Sequence, residues 1–203
     1  MIILVRTGPE QREWARNEEA PVLDDTIRDL KTYARVLHRR ALARDAQAML
    51  DLHALPEFAR ANDDELVQLL QRRHCLKLVA RRLGFQDWKH ALDILSGAQS
   101  DDFGTLLYPA TCSGHWNIWS AAYAEAAEIR AAHGGYLLAY KRQFLIVDRD
   151  YVDSMGLDPD DPDWNRIGRD WVRPKQADAR ARLYRKLVQN FMVLNALHAR
   201  VEH

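Results

Sequence analysis

The chain has 203 residues, enough to bury a sizeable core as one domain or as two small ones. Its 29 basic and 29 acidic side chains cancel, so no global field draws it to nucleic acid or an acidic membrane, and any polyanion site has to be a local patch. Two cysteines, Cys75 and Cys112, are too few for a secreted disulfide framework, and no apolar run suits a signal peptide or a membrane span of about twenty residues, so a soluble cytoplasmic protein is expected.

Residues 1–23 form an N-terminal segment in which Ile2, Ile3, Leu4 and Val5 read as one short strand. Residues 24–97 are rich in alanine, leucine and arginine and read as a helical module. Asp24 or Asp25 is the expected cap of its first helix. Ile27, Leu30, Ala34, Leu37, Ala41 and Leu42 carry helical spacing, and the helix is expected to run to about Leu50, before Pro56. Asn62, Asp63 and Asp64 are the next capping candidates, with Leu66, Leu69 and Leu70 as the apolar face behind them. Leu76, Val79, Ala80 and Leu83 continue the stripe until Gly84, a residue that tolerates the left-handed backbone found past helix ends. Asp87 opens the last helix of the module, with Trp88, Ala91, Leu92 and Leu95 facing inward.

Small polar residues at 96–102 suggest a linker into an α+β domain at 103–203. Residues 103–108 are expected to be a strand ended by Pro109, and residues 116–132 a helix ended by Gly134-Gly135. Residues 136–147 carry the strongest β signal, either a hairpin turning at Lys141-Arg142 or one long strand. Asp148 or Asp150 caps a short helix ending at Gly156. The run Asp158-Pro159-Asp160-Asp161-Pro162-Asp163 reads as turns, because the glycine and distal glutamate of a calcium loop are missing. Leu183, Leu187, Phe191, Leu194 and Leu197 mark a closing amphipathic helix that packs on its own core or, in a homodimer, on a partner's. The fold class is therefore α+β, a helical module followed by a small antiparallel sheet packed with helices.

In the middle zone Asp29-Leu30-Lys31, Ala34, Leu37 and Asp45 are followed by Leu78, Ala80, Leu83-Gly84-Phe85 and Trp88. This pattern, over about a third of the chain, resembles a small helical module of bacterial proteins found beside glyoxalase-like domains or ankyrin repeats. The resemblance implies a helical scaffold of the interaction type and assigns no catalytic residue. Glyoxalase chemistry would need metal-ligating His and Glu on a paired β-sheet domain, a layout the C-terminal half lacks. That half resembles bacterial proteins of unassigned function.

Four constellations could carry chemistry. Cys112 and His115, three residues apart at an expected helix start, could be a nucleophile and its base, with Thr111 and Ser113 holding an anionic group. The plainer reading makes Ser113 a cap and Cys112 a buried small hydrophobe. His74, His90, His115, His133 and His198 are scattered without paired ligand spacing, so no metal and no other cofactor is expected. Residues 72–95 imitate a helix-turn-helix, with Arg72, Arg73, Lys77, Arg81, Arg82 and Lys89 as phosphate contacts; Asp87 and Asp93 on the second helix argue against a nucleic-acid partner.

Finally, Trp116, Trp119 and Tyr123 share a face of the expected helix. With Tyr136, Tyr140, Phe144, Trp164 and Trp171 they could line a pocket whose polar anchors are Lys141, Arg142 and Arg173; packing into the core is the plainer reading. The favoured function is non-catalytic binding of a small anion or a protein partner. A small cysteine-dependent hydrolase or transferase and a DNA-binding regulator are the alternatives.

Overall fold

A computed structural model describes residues 10–98 and 100–201. The expected strand at residues 2–5 and the side chains of Leu194 and Leu197 lie outside what it describes. In chain order the elements are helices α1 (Glu10–Leu42), α2 (Ala46–His53), α3 (Asp63–Leu69), α4 (Arg72–Arg82) and α5 (Trp88–Leu95), then a 3-10 turn at Ala110–Cys112. Strand β1 (Ile118–Ser120), helix α6 (Tyr123–His133) and strands β2 (Tyr136–Tyr140) and β3 (Gln143–Val147) follow. Helices α7 (Arg149–Ser154), α8 (Pro162–Arg166) and α9 (Ala177–Val201) complete the chain. The fold is α+β: helices followed by a three-stranded antiparallel sheet of order β1-β3-β2.

Local chemistry explains most boundaries. Asn62 accepts from the Glu65 amide while Glu65 reaches back to the Asn62 amide, a complete capping box for α3. Asp87 and Asp148 accept from the amides of His90 and Tyr151 and so start α5 and α7. The aspartate run makes turns: Asp158 accepts from the Asp160 amide and Asp161 from the Asp163 amide, with Pro162 opening α8. The β signal resolves as a hairpin turning at Lys141-Arg142, with Tyr140 opposite Gln143 and Lys141 at φ 51°.

Gly84 (φ +83°) ends α4 and donates to the Arg81 carbonyl, while its own carbonyl accepts from the Thr105 amide at 2.9 Å. Gly104 (φ +71°) faces it so closely that a Cβ there would sit 2.7 Å from the Gly84 oxygen. These two glycines dock the end of the helical module onto the loop that enters the sheet region.

Several expectations fail. Asp24 and Asp25 lie inside α1, and Asp25 pairs with Arg28 and with Arg185 of α9 instead of capping a helix. The first helix stops at Leu42, not near Leu50, because Arg44 adopts φ 58° and Asp45 caps a new helix through the Ala48 amide. Leu42 and Leu69 are exposed. Trp88 does pack on the core, as a half-buried residue, while Phe85 is the fully buried aromatic between α4 and α5.

Residues 103–108 are not a strand. Phe103 donates to the Lys141 carbonyl and Gly104 accepts from the Lys141 amide, so the segment clasps the hairpin tip and then turns. Nor are residues 116–122 helical. Ile118, Trp119 and Ser120 pair with Ile146, Leu145 and Phe144, and α6 begins only after Ser120 accepts from the Ala122 amide. The helical spacing of Trp116, Trp119 and Tyr123 is therefore coincidental.

One hydrophobic cluster runs from Leu30 through the helices to β2, β3 and Val188 of α9. Tyr136, Trp164, Trp171 and Tyr184 form a chain of ring contacts at its C-terminal end, with centroids 4.8, 5.3 and 4.8 Å apart. Beside it Asp163, 2% exposed, meets Arg166 at 2.7 Å and Arg182 at 2.8 Å and lies 3.5 Å from Lys186, tying α8 to α9.

At the end of α2, His53 contacts the Phe58 carbonyl through Nδ1 at 3.0 Å and the Asp63 carboxylate of α3 through Nε2 at 2.9 Å. Both partners only accept, so the pair of bonds requires the imidazolium, and the Asp63 and Phe58 contacts raise the His53 pKa. A raised folded-state pKa means stabilisation present below the unfolded value, about 6.5, and lost as pH rises through the folded value. With Asp63 exposed, the gain is on the order of 0.5 kcal/mol or less. Urea unfolding of wild type and His53→Gln should show a wild-type advantage near about pH 5.5 that vanishes near about pH 8.5. An equal gap at both values would contradict the charged assignment.

Candidate functional site

A large cleft encloses about 740 Å³. Its walls are the end of α5 and the following loop, the hairpin, the start of α6, residues 171–173 and α9. Phe103, Tyr123, Phe144, Trp171 and Tyr184 supply aromatic surface, and Arg142, Arg173 and Arg180 supply positive charge; Asp101 is the acid among the lining residues.

Asp170 organises one wall. It is 7% exposed and is itself the residue bridged to Leu137 of β2. One carboxylate oxygen accepts from the amides of Val172 (3.0 Å) and Arg173 (2.9 Å), a local turn that aspartate makes readily. The other accepts the Tyr123 hydroxyl at 2.7 Å. Burial, and after it the hydrogen bond to Asp170, pushes the Tyr123 phenol up to about 12, so it stays a donor. The Arg173 guanidinium then lies 4.0 Å from the centre of the Tyr123 ring.

Arg180 donates to the Trp171 carbonyl at 3.1 Å, and Gly97 leaves room for its guanidinium, which a Cβ there would strike. Arg142 projects from the exposed hairpin turn. None of the three arginines forms a salt bridge with a described carboxylate. Trp171 is 1% exposed, and its indole N–H, although close to the Tyr184 hydroxyl, completes no hydrogen bond. An unsatisfied buried donor of this kind costs about 1–3 kcal/mol unless something else accepts from it.

Thr111, Cys112 and His115 gather against α7, away from this cleft. The Cys112 thiol is fully buried, contacts the Tyr151 carbonyl at 3.7 Å and has its pKa raised by burial, which keeps it neutral. His115 instead bonds the Ser154 hydroxyl at 3.0 Å and lies edge-on to Tyr151. Thr111 donates to the Ser154 carbonyl at 3.0 Å and Ser113 to the Ala110 carbonyl at 2.8 Å, where Ser113 closes the 3-10 turn.

Trp116 is 98% exposed on the approach to β1. Trp119 is exposed too, its ring edge against Tyr108 and Tyr140, and Lys141 lies over the Tyr140 ring. Neither tryptophan lines the large cleft, because β1 and the residues before it, not a helix, carry them; of the expected aromatic set it gathers Tyr123, Phe144 and Trp171, with Arg142 and Arg173.

The cationic row is partly neutralised: Lys77 pairs with Glu57 at 3.0 Å, Arg82 with Asp51, and Lys89 with Asp93. Arg72 and Arg73 are exposed at the start of α4. Arg81 and Arg82 join Thr111, Ser154 and Asn190 around a second cleft of about 370 Å³ with an apolar floor. Among the described residues, no three His, Cys, Asp or Glu side chains gather as metal ligands would, and no helix is long and apolar enough to cross a membrane.

Sequence reasoning missed Arg180, Asp170 and Tyr184. The one available signal was the spacing Asp170-x-x-Arg173, which suits an aspartate accepting from amides two and three residues on; nothing in the sequence tied it to Tyr123. No family model, curated protein or solved structure matches the chain.

Proposed function

We propose that the protein is a non-catalytic binding module for a small organic anion, held in the large cleft. What supports the reading is the convergence of Arg142, Arg173 and Arg180, without carboxylate partners among the described residues, on an aromatic-walled space of about 740 Å³. A cleft of this size falls within the range of small-molecule sites, roughly 300–1,000 Å³, where apolar walls supply area and a few polar groups orient the ligand. Guanidinium groups suit that task because they stay charged and present a planar fork to carboxylate or phosphate oxygens. Two are braced before any ligand arrives, Arg173 by Tyr123 and Arg180 by the Trp171 carbonyl, which lowers the ordering cost of binding.

The test is calorimetric titration of the full chain with benzoate, inorganic phosphate and phenyl phosphate, supported by thermal shift. At least one of them should bind and raise the melting temperature by mass action. Arg173→Ala should weaken that binding about tenfold, the scale of a charge-assisted hydrogen bond, while leaving the melting temperature without ligand near wild type because the residue is exposed. If none of the three anions binds, or Arg173→Ala binds as wild type does, the reading fails.

A further inference from the structure

The charge and shape of the large cleft narrow the ligand class, an inference that rests on the anion-binding reading above. Three guanidinium groups face one lining carboxylate, Asp101, which leaves two positive charges uncompensated among the lining residues. A monoanion would neutralise only one of them. Arg173 and Arg180 add position to charge: one guanidinium is held over the Tyr123 ring and the other at the Trp171 carbonyl, so both are placed at the same lining. Such an arrangement suits a tetrahedral group with three terminal oxygens better than one flat carboxylate.

The remaining lining is aromatic. Phe103 and Phe144 meet edge-to-face with centroids 6.1 Å apart, and Phe144 meets Tyr123 at 5.8 Å. All three rings are only half-buried and line the cleft, so apolar ring surface remains for a flat ligand to cover. We propose that the cleft binds a dianionic phosphate monoester carried on a flat aromatic ring. The phosphate sits among Arg142, Arg173 and Arg180, and the ring lies against Phe103 and Phe144.

The experiment compares phenyl phosphate, inorganic phosphate, benzoate and isophthalate on the full chain by calorimetry. Phenyl phosphate should bind about tenfold more tightly than each of the other three, a gap of about 1.4 kcal/mol. Arg142→Ala, at an exposed turn position, should cost phenyl phosphate several-fold in affinity and leave melting unchanged; Phe144→Leu should weaken phenyl phosphate and not inorganic phosphate. Equal affinity for benzoate would remove the dianion, equal affinity for inorganic phosphate would remove the ring, and equal affinity for isophthalate would remove the phosphoryl group. Each of these leaves anion binding standing, whereas silence from all four probes overturns both readings.

Discussion

Replacing Asp163 with asparagine is expected to destabilise the protein by about 3 kcal/mol, because it removes the buried charge that three cations share, leaving Arg166 without it and Arg182 and Lys186 with only Asp178 and Asp161. The figure is placed at the low end for a broken buried pair, since Arg166, Arg182 and Lys186 keep between 32% and 50% of their side-chain surface in water and are partly compensated there. For a chain of this length that corresponds to a melting temperature lower by roughly 6–12 °C.

The pH dependence follows from the same contacts. Burial on its own would raise the Asp163 pKa, but hydrogen bonds from Arg182 and Arg166 outweigh it and hold the carboxyl at about 2. A depressed folded-state pKa gives stabilisation that is present above the unfolded value, about 3.9, and lost as pH falls toward the folded one. Thermal unfolding of wild type and Asp163→Asn should therefore differ most near neutrality and converge in acid. A variant that melts with wild type at neutral pH would show that the cluster contributes nothing to holding α8 against α9.

The second large effect is expected at Gly84. Alanine there should cost about 2–4 kcal/mol, from two sources that add: a left-handed backbone disfavoured for any residue with a Cβ, and overpacking against a neighbouring loop. The added carbon would meet the Thr105 hydroxyl and would lie 2.9 Å from the Leu106 amide nitrogen. Thr105→Ala in the same chain should recover only part of the loss, because the backbone contact and φ +83° remain. Chemical denaturation of the two single variants and the double variant measures the coupling. Full recovery in the double variant would mean that only the hydroxyl mattered.

Gly84 also shows how far sequence reasoning reached and where it stopped. The helix, its glycine stop and the next helix opened by Asp87 were legible, because each depends on hydrogen bonds spanning a few residues. What Gly84 packs against was not, since Thr105 approaches only when the second half folds back. The same boundary runs through the aromatic candidates. Trp116, Trp119 and Tyr123 recur at helical spacing, yet pairing with β3 pulls the first part of that segment into a strand and turns Trp116 outward. Periodicity cannot register a strand partner some twenty-five residues away, and tertiary pairing overrides local preference.

Arg142 and Arg173 were identifiable as candidates to line a pocket, but Arg180 was hidden among the arginines of α9, where only the fold distinguishes a residue facing the cleft from one paired to aspartate. Asp163 is a parallel case. Its place in an aspartate-rich turn was plain, while its burial under α9 was not, because Arg182 and Lys186 arrive from a different helix.

By itself, then, the sequence determined the local events: several capped helix starts, the turn run, the β character of residues 136–147, the closing helix and the α+β class. Tertiary structure alone decided which charges are neutralised and which stay open. An ion pair or an aromatic wall depends on distance in space, and the groups lining the large cleft come from segments scattered between Ile94 and Tyr184.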